Sequence, residues 1–344
     1  METTVQKPKI AITMGDPAGV GPEVCLFALT HPDVTDLCIP LVFGDGAILK
    51  KVAAEAGLEP PNHVIPHQEW KDSHEVFETP AVIDLEALSV DEVMPGEVSE
   101  ETGRAGYRYL QAAIDAVQQG QAHGITTGPL HKGALQLAGI NVPGHTELLA
   151  EATKTDRYCM LLTSEPISCS FVTFHVGFTE VTKGITEERI LEVVELTGEA
   201  MRILRGTAPK LALCGLNPHA GENGLLGGGE EERILLPALA RAKEAGWDIE
   251  GPLPPDTAFL PAKRAQVDAY ICLYHDQGHI PVKALAFDEA VNCTLGLPIV
   301  RTSVDHGTAL DIAWKGVANP SSLIEAVKVA VKLIDQRESQ TTTS

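Results

Sequence analysis

The sequence predicts an α/β protein with two domains, and three observations lead to this prediction. Short apolar or β-branched runs alternate along the chain with amphipathic segments of helical period, a pattern typical of a largely parallel sheet with crossover helices. The runs lack a clean alternation of apolar and polar residues, as expected for strands that helices cover on both faces. A chain of 344 residues is long enough for two domains and a sizeable core.

Five apolar runs are predicted strands: KIAITM (9–14), IPLVFG (39–44), SFVTFH (170–175), KLALCG (210–215) and AYICLYH (269–275). Two helices have clear ends. Residues 99–119 begin with Ser99, a suitable N-cap, followed by two glutamates at the positive end of the helix dipole, and Gly120 is a stop signal. In the last predicted helix, Ser322 and Glu325 have the spacing of a capping box.

The net charge and the aromatic content argue against two classes of partner, nucleic acids and membranes. The net charge of −21 repels phosphate backbones and anionic membranes, and 5% aromatic residues do not suit a base-stacking platform. We therefore expect neither a nucleic acid nor a membrane partner. The seven cysteines form no C-x-x-C pair, and the N-terminus has no apolar signal segment, so we expect a reduced, cytoplasmic protein.

Three of the apolar runs lead to a histidine at their downstream end: His175, His219 and His275. In open α/β sheets, ligands bind beyond the carboxyl ends of the strands, so these imidazoles are candidates for one site. Each histidine alone is more often structural or solvated than a ligand. Together they predict a three-imidazole site that suits Zn, Co, Mn, Ni or Fe better than Mg, although the spacing of the three matches no local H-x-x-x-H motif.

Two groups of polar residues predict an anion site. Lys132, His145 and Thr146 lie between glycines, whereas Lys283, Asn292 and Arg301 recur every nine residues between apolar runs. Such groups are more often exposed surface residues than ligands. In a chain with 26 basic and 47 acidic residues, however, several donors close together suit a phosphate or a carboxylate.

A glycine-rich segment, MGDPAGVGPE (14–23), follows the first predicted strand. Its spacing is G-x-x-x-G-x-G, so the usual dinucleotide fingerprint G-x-G-x-x-G is absent. A glycine turn that leads into a helix can receive an anion, but such turns are also common in purely structural roles.

Six motifs together resemble the 4-hydroxythreonine-4-phosphate dehydrogenase family of pyridoxal phosphate biosynthesis: MGDPAGVGPE, PGHTE, NPHAGE, PDT, YHDQG and GLPIVRTSVDHGTALDIA. The resemblance runs in order from about residue 9 to about residue 335. It implies an isocitrate/isopropylmalate dehydrogenase-like fold, with two α/β/α lobes around a cleft. The expected lobes are residues 1–130 with 300–344, which carry an adenosine-binding loop, and residues 131–299, which carry the metal ligands and dimer contacts.

The segment DHGTALDIAWKGVANP (305–320) is similar to the loop that cradles the adenosine of NAD in isopropylmalate dehydrogenases. This similarity makes His306, Gly307, Asp311 and Asn319 cofactor candidates. Asp311 would accept a hydrogen bond from the ribose 2′-hydroxyl and repel a 2′-phosphate, which favours NAD over NADP.

The family's other site residues also have counterparts here. Its metal ligands, for Zn, Co, Mn, Ni, Fe or Mg, match His175, His219 and His275, and in the family they come from both subunits of a homodimer. Its substrate contacts match five residues that also belong to the two polar groups of the predicted anion site: His145, Thr146, Lys283, Asn292 and Arg301. Asp256 and Asp276 are candidate proton-transfer residues or hydrogen-bond partners of the histidines.

The resemblance implies NAD- and metal-dependent oxidative decarboxylation of a four-carbon phosphorylated 3-hydroxy acid, with 4-phosphooxy-L-threonine as the first candidate. Departures from the biosynthetic pattern leave a second candidate open. The chain has His279 and Ile280 where Leu and Pro are usual, and YHDQGHIP looks more like the branch that oxidises D-threonate or D-erythronate 4-phosphate to dihydroxyacetone phosphate. A phosphate acyltransferase of related architecture and a non-catalytic sugar-phosphate binding module are the alternatives from other classes.

Overall fold

The computed structural model describes residues 7–72, 77–141 and 144–341, with side chains described up to residue 335. The chain divides into two compact units, Met1–Ala152 with Ile299–Ser344 and Thr153–Pro298. The first unit is discontinuous, and its first segment ends at residue 152. The helix Lys132–Leu137 belongs to this unit and packs on the long helix Glu100–Gln118.

The strands, numbered in chain order, are β1 (Lys9–Thr13), β2 (Ile39–Gly44), β3 (Val64–Pro66), β4 (Ala81–Asp84), β5 (Gly124–Thr127), β6 (Cys159–Thr163), β7 (Ser168–Phe171), β8 (Lys210–Cys214), β9 (Asp248–Leu253), β10 (Ala269–Cys272), β11 (Val291–Leu295) and β12 (Val300–Val304). Each of the five predicted strands is present. β2 has the predicted bounds and β8 ends one residue early, whereas β7 and β10 end before the histidines, at Phe171 and Cys272.

The α-helices are α1 (Gly21–Thr30), α2 (Pro32–Thr35), α3 (Gly46–Ala56), α4 (His67–Asp72), α5 (Glu100–Gln118), α6 (Lys132–Leu137), α7 (His145–Ala152), α8 (Val181–Gly184), α9 (Glu187–Arg205), α10 (Leu236–Glu244), α11 (Pro255–Ala258), α12 (Pro261–Arg264), α13 (His275–Ala286) and α14 (Ser321–Thr341). Among the described residues, no helix is both long and apolar enough to cross a membrane.

In the first unit the strand order is β3-β4-β2-β1-β5-β12, with every pairing parallel. β2 is buried along its whole length, as the absence of alternation predicted. α5 begins as expected, because the Ser99 hydroxyl accepts a hydrogen bond from the Thr102 amide at 3.1 Å. The predicted capping box of α14 is wrong: Ser322 Oγ accepts instead from the amide of Asp305, at 3.3 Å.

In the second unit the strand order is β11-β6-β7-β10-β8-β9. β6 is antiparallel to β11 and β7, and the strands from β7 to β9 are parallel to one another. A core of apolar side chains, including Phe171, Cys272 and Tyr270, lies on this sheet. β7, β10 and β8 are adjacent, so the three segments that lead to His175, His275 and His219 leave the same edge of one sheet.

Candidate metal and substrate site

The histidines lie just beyond the ends of three adjacent parallel strands of the second unit. His175 follows the end of β7 at Phe171, His219 follows the end of β8 at Cys214, and His275 is the first residue of α13 after β10. Because parallel strands end at the same edge, this topology supports the expectation that the three segments serve one site.

His275 is held by its neighbour in the sequence. Its Nδ1 lies 2.7 Å from Oδ1 of Asp276, a contact that involves one of the two ring nitrogens and restricts rotation of the ring. The ring centroids of His175 and His275 are 6.0 Å apart. Since a zinc–imidazole bond is about 2.0–2.1 Å long, two rings at this separation can contact one ion.

His279 lies one helical turn after His275 and stacks on it. The two ring centroids are 3.6 Å apart and the planes differ by 8°. His279 is 8% exposed and its pKa is lowered to about 4, chiefly by burial and then by His275. These two residues have the H-x-x-x-H spacing that the three predicted ligands lack, and this spacing is the signal that indicates His279 as a neighbour of His275.

His219 lies in a strained loop. It has φ +54°, and the next two residues, Ala220 and Gly221, also have positive φ values of 53° and 78°. Consecutive non-glycine residues in this region are unfavourable and are found mainly at functional sites. The His219 side chain is 63% exposed, and its Nδ1 lies 3.5 Å from Oε2 of Glu222.

Two buried side chains, Glu231 and Gln277, support this loop, and sequence reasoning missed both of them. Glu231, 1% exposed, accepts hydrogen bonds through Oε1 from the amides of Leu216 and Asn217, at 2.9 and 2.8 Å. Glu231 begins a short π-helical turn, a feature that is rare and frequent at functional sites. The Gln277 amide bridges the end of β10 and the end of β8, by accepting from Leu273 N and donating to the oxygen of Gly215.

The two aspartates with proposed proton-transfer roles lie on different elements of the second unit. Asp276 contacts His275 as described above. Asp256 is exposed on α11, which packs against the short helix Pro218–Glu222 that carries His219. Within the described residues of one chain, no group of three or more His, Cys, Asp or Glu side chains is arranged to hold a metal ion.

The first unit contains three of the substrate candidates. Arg301 is 2% exposed on β12 and donates from Nη2 to Oγ1 of Thr127 at 2.8 Å. Burial, with help from the positive charges of Arg301 and Lys132, lowers the pKa of His145 to about 3. Nε2 of His145 is buried and has no hydrogen-bond partner among the described residues. Thr146, which follows it, is 3% exposed.

The other two substrate candidates lie in the second unit. Asn292, on β11, donates from Nδ2 to the sulfur of Met160 at 3.4 Å, a weak hydrogen bond. Its Oδ1 is buried without a partner in the described part of the chain. Lys283 lies on α13, two turns after His275, with Nζ 5.4 Å from the ring centroid of Phe287. A buried amide oxygen without a partner is consistent with a ligand that donates to it.

The cofactor candidates lie in the segment 305–319 of the first unit, on which the glycine-rich segment packs. Val20 N donates to the oxygen of Thr308 at 2.9 Å, and Trp314 Nε1 donates to the oxygen of Pro17 at 3.0 Å. At Gly19 a Cβ would lie 2.6 Å from that same Thr308 oxygen, so glycine permits this close approach. The segment 14–23 therefore supports the neighbouring loop.

The four cofactor candidates differ in their surroundings. Nε2 of His306 is buried without a partner among the described residues, while its Nδ1 lies 2.9 Å from the Gly307 oxygen. Gly307 and Asp311 are exposed, and a Cβ at Gly307 would meet open space. Asn319 uses Oδ1 to accept from the amide and hydroxyl of Ser321, at 3.0 and 2.7 Å, at the start of α14. A buried imidazole nitrogen and an exposed carboxylate fit a nucleoside ligand.

Comparison with known proteins identifies the family. A family model described as "Pyridoxal phosphate biosynthetic protein PdxA" matches residues 36–330. A 4-hydroxythreonine-4-phosphate dehydrogenase of Desulforapulum autotrophicum is 40% identical over 329 residues, covering 95% of this chain and 96% of the relative. A D-threonate 4-phosphate dehydrogenase of Cupriavidus necator is 39% identical over 331 residues, covering 96% and 98%.

A solved structure is similar along nearly the whole chain. The crystal structure of a 4-hydroxythreonine-4-phosphate dehydrogenase from Klebsiella pneumoniae is 37% identical, with a TM-score of 0.80, and the match covers 95% of this chain and 100% of that one. The order of the six motifs, the α/β fold and these matches agree. The chain therefore belongs to the PdxA family of pyridoxal phosphate biosynthetic proteins.

Proposed function

We propose that this chain is an NAD- and divalent-metal-dependent dehydrogenase, which oxidises and decarboxylates a four-carbon 3-hydroxy acid that carries a phosphate. The relatives are named as dehydrogenases of 4-phosphorylated acids, which supports oxidation of a CH–OH group in a small phosphorylated substrate. The observation that carries the metal requirement is the pair His175 and His275, with ring centroids 6.0 Å apart and Asp276 on Nδ1 of His275.

The residues of the chain fit the two groups that the reaction needs. His175, His219 and His275 would hold the ion, a Lewis acid that lowers the pKa of the substrate hydroxyl and stabilises the charge left by decarboxylation. His306, Gly307, Asp311 and Asn319 would hold the adenosine part of NAD, which accepts the hydride. Asp311, exposed in the middle of the short helical turn Leu310–Ile312, would favour NAD over NADP.

The substrate anion would be held by the cationic and polar candidates. Arg301 offers a guanidinium whose position is fixed by Thr127, and a planar fork of donors suits a phosphate. His145 stays neutral at physiological pH, so it can donate one hydrogen bond without adding a charge. Thr146, Lys283 and Asn292 complete the proposed set. Asp256 and Asp276 remain proposed partners for the proton that the hydroxyl loses.

A homodimer with a shared metal site is part of the proposal. A third imidazole from a partner subunit would complete the ligand set, since the described residues of one chain provide no group of three ligands. Large apolar side chains near the histidines in sequence are exposed: Phe178 is 79%, Leu225 is 76% and Ile280 is 67% exposed. A partner subunit that packed beside the histidines would cover these side chains.

Two classes of substrate, with three acids between them, are candidates. The first is 4-phosphooxy-L-threonine, which would give 3-amino-2-oxopropyl phosphate. The second is D-threonate or D-erythronate 4-phosphate, which would give dihydroxyacetone phosphate. His279 and Ile280 favour the second, because the segment YHDQGHIP looks more like that branch than like the biosynthetic enzymes. Overall sequence identity does not distinguish the two classes of substrate. The relative named 4-hydroxythreonine-4-phosphate dehydrogenase is 40% identical to this chain, and the relative named D-threonate 4-phosphate dehydrogenase is 39% identical.

The test compares the three acids side by side with one purified sample, NAD and a divalent ion, and follows NADH absorbance. We expect NADH to form with at least one acid, and we expect no NADH to form after EDTA has removed the ion. A preparation that forms NADH equally well in EDTA would contradict the metal requirement. Release of a thiol from an acyl thioester without NADH would show acyl transfer instead.

A further inference from the structure

His279 and His275 form a stacked pair on the first two turns of α13. The rings are nearly parallel, with centroids 3.6 Å apart and planes 8° apart. Residues four apart on a helix lie on the same face, so the backbone of α13 brings the two rings together. The nearly parallel planes and short separation place one ring face directly against the other.

The His279 ring is itself fixed from two directions. Its Nδ1 lies 2.9 Å from the oxygen of His275, and since a carbonyl can only accept, Nδ1 carries the hydrogen. The Phe171 ring contacts it, with centroids 4.6 Å apart. Gly278 lets α13 lie close to the sheet, because a Cβ there would lie 2.7 Å from the Phe171 ring and 2.9 Å from Cys272 Sγ.

We propose that His279 is a positioning residue, which sets the plane of the His275 imidazole by stacking on it so that Nε2 of His275 faces the ion. This inference rests on the proposed function. Asp276 holds Nδ1 of His275 and thereby fixes rotation within the ring plane, whereas His279 fixes the plane itself. A ligand ring held in both respects loses less freedom when the ion binds.

The alternative is that His279 only fills space in the core, since it is 8% exposed. An apolar side chain such as leucine would fill that volume, but it has no flat face to lie parallel to the imidazole. The two roles therefore differ in their dependence on an aromatic ring at position 279. This difference defines the variants for the test.

The test measures Co²⁺ affinity by competition with a chelator, together with the visible absorption of bound Co²⁺, in the full-length protein. We expect His279→Leu and His279→Gln, which have no ring, to weaken Co²⁺ binding about tenfold and to change the visible spectrum. His279→Phe retains a ring face and is expected to stay within about twofold of the unsubstituted protein. His63→Leu, at an exposed histidine of the first unit, is the matched control and should change neither.

Circular dichroism and thermal unfolding show which variants fold. If His279→Leu does not fold, His279→Gln is used as the ringless variant. Unchanged affinity and spectrum in a folded ringless variant would overturn the inference, as would a loss in His279→Phe equal to that in His279→Leu. His275→Ala separates this from a failure of the proposed function. If Co²⁺ binding does not depend on His275, the proposed metal site is wrong, whatever His279 does.

Discussion

The side-chain amide of Gln277 donates from Nε2 to the carbonyl oxygen of Gly215, at a distance of 2.7 Å. The same amide accepts from Leu273 N through Oε1, also at 2.7 Å. One side chain, 6% exposed, thus connects the end of β10 with the end of β8. The segments that follow these two strands carry His275 and His219, so Gln277 links the two proposed ligand segments within one chain.

We expect Gln277→Met, which keeps the length of the side chain but loses both hydrogen bonds, to lower the free energy of unfolding by about 1–3 kcal/mol. The reason is that a buried carbonyl and a buried amide lose their partners. Urea unfolding measures this change. Gln266→Met, at an exposed glutamine, is the control and should have almost no effect. Equal stability of the two variants would show that the bridge through Gln277 contributes nothing.

His219 offers a substitution that separates function from folding. Because its side chain is 63% exposed and its φ is +54°, His219→Gly removes the imidazole and relieves the backbone. We expect turnover and bound metal to be lost, while the melting temperature stays the same or rises. His219→Ala should lose the same activity without the gain in stability. Metal analysis and calorimetry on the same samples test this, and near-normal turnover in either variant would exclude His219 as a ligand.

Arg301 tests the substrate site. An ionised hydrogen bond contributes about 1.5–3 kcal/mol, so we expect Arg301→Ala to raise KM for the phosphorylated acid about tenfold to hundredfold and to leave KM for NAD nearly unchanged. Arg301→Lys keeps the positive charge but loses the planar fork of donors. Its KM for the phosphorylated acid should therefore lie between those of the unsubstituted protein and Arg301→Ala. Arg241→Ala, at an exposed surface arginine, is the control. Steady-state kinetics in both substrates would contradict the assignment if the two KM values rose equally.

The imidazole of His145, whose Nε2 is buried, predicts a pH dependence of stability. Its pKa is lowered from 6.5 to about 3 in the folded chain, so between these values the unfolded state binds the additional proton. Stability from this residue is therefore fully present above about pH 6.5 and is lost as the pH falls toward 3, with a slope of at most about 1.4 kcal/mol per pH unit. We expect His145→Gln to show a shallower decline in unfolding free energy between pH 6.5 and 4. Parallel curves would show that His145 titrates normally.

Local sequence pattern was sufficient to predict the elements that depend mainly on residues close together in the sequence. Ser99 caps α5 as its side chain predicted, and β2 matches its apolar run residue for residue. The capping pattern of Ser322 and Glu325 was misleading, because a tertiary contact with Asp305 uses the serine hydroxyl. The end of β7 was also misplaced, since Val172 is as apolar as the strand that precedes it.

The candidate site was only partly predictable from the sequence, because several of its contacts join residues that are far apart in the chain. Histidines after apolar runs give a local signal, and the adjacent order of β7, β10 and β8 supports it. The contacts that hold the site have no such signal: Gln277 and Gly215 are 62 residues apart, and Glu231 resembles any glutamate of an acidic run until its burial is known. The His275 and His279 spacing was visible in the sequence, but only the folded structure shows that the rings stack rather than point apart.

Mixing two inactive variants tests the shared metal site most directly. His219→Ala and His275→Ala are each unfolded, mixed and refolded together, and NADH formation is measured with the acid that the unsubstituted protein oxidises. If the ion takes histidines from both subunits, half of the dimers in a random mixture combine the two variants, and each of these has one intact site. We therefore expect recovery of about a quarter of the unsubstituted activity, with none when either variant is refolded alone. A mixture as inactive as its components, in dimers shown to contain both chains, would contradict a metal site built by the two subunits.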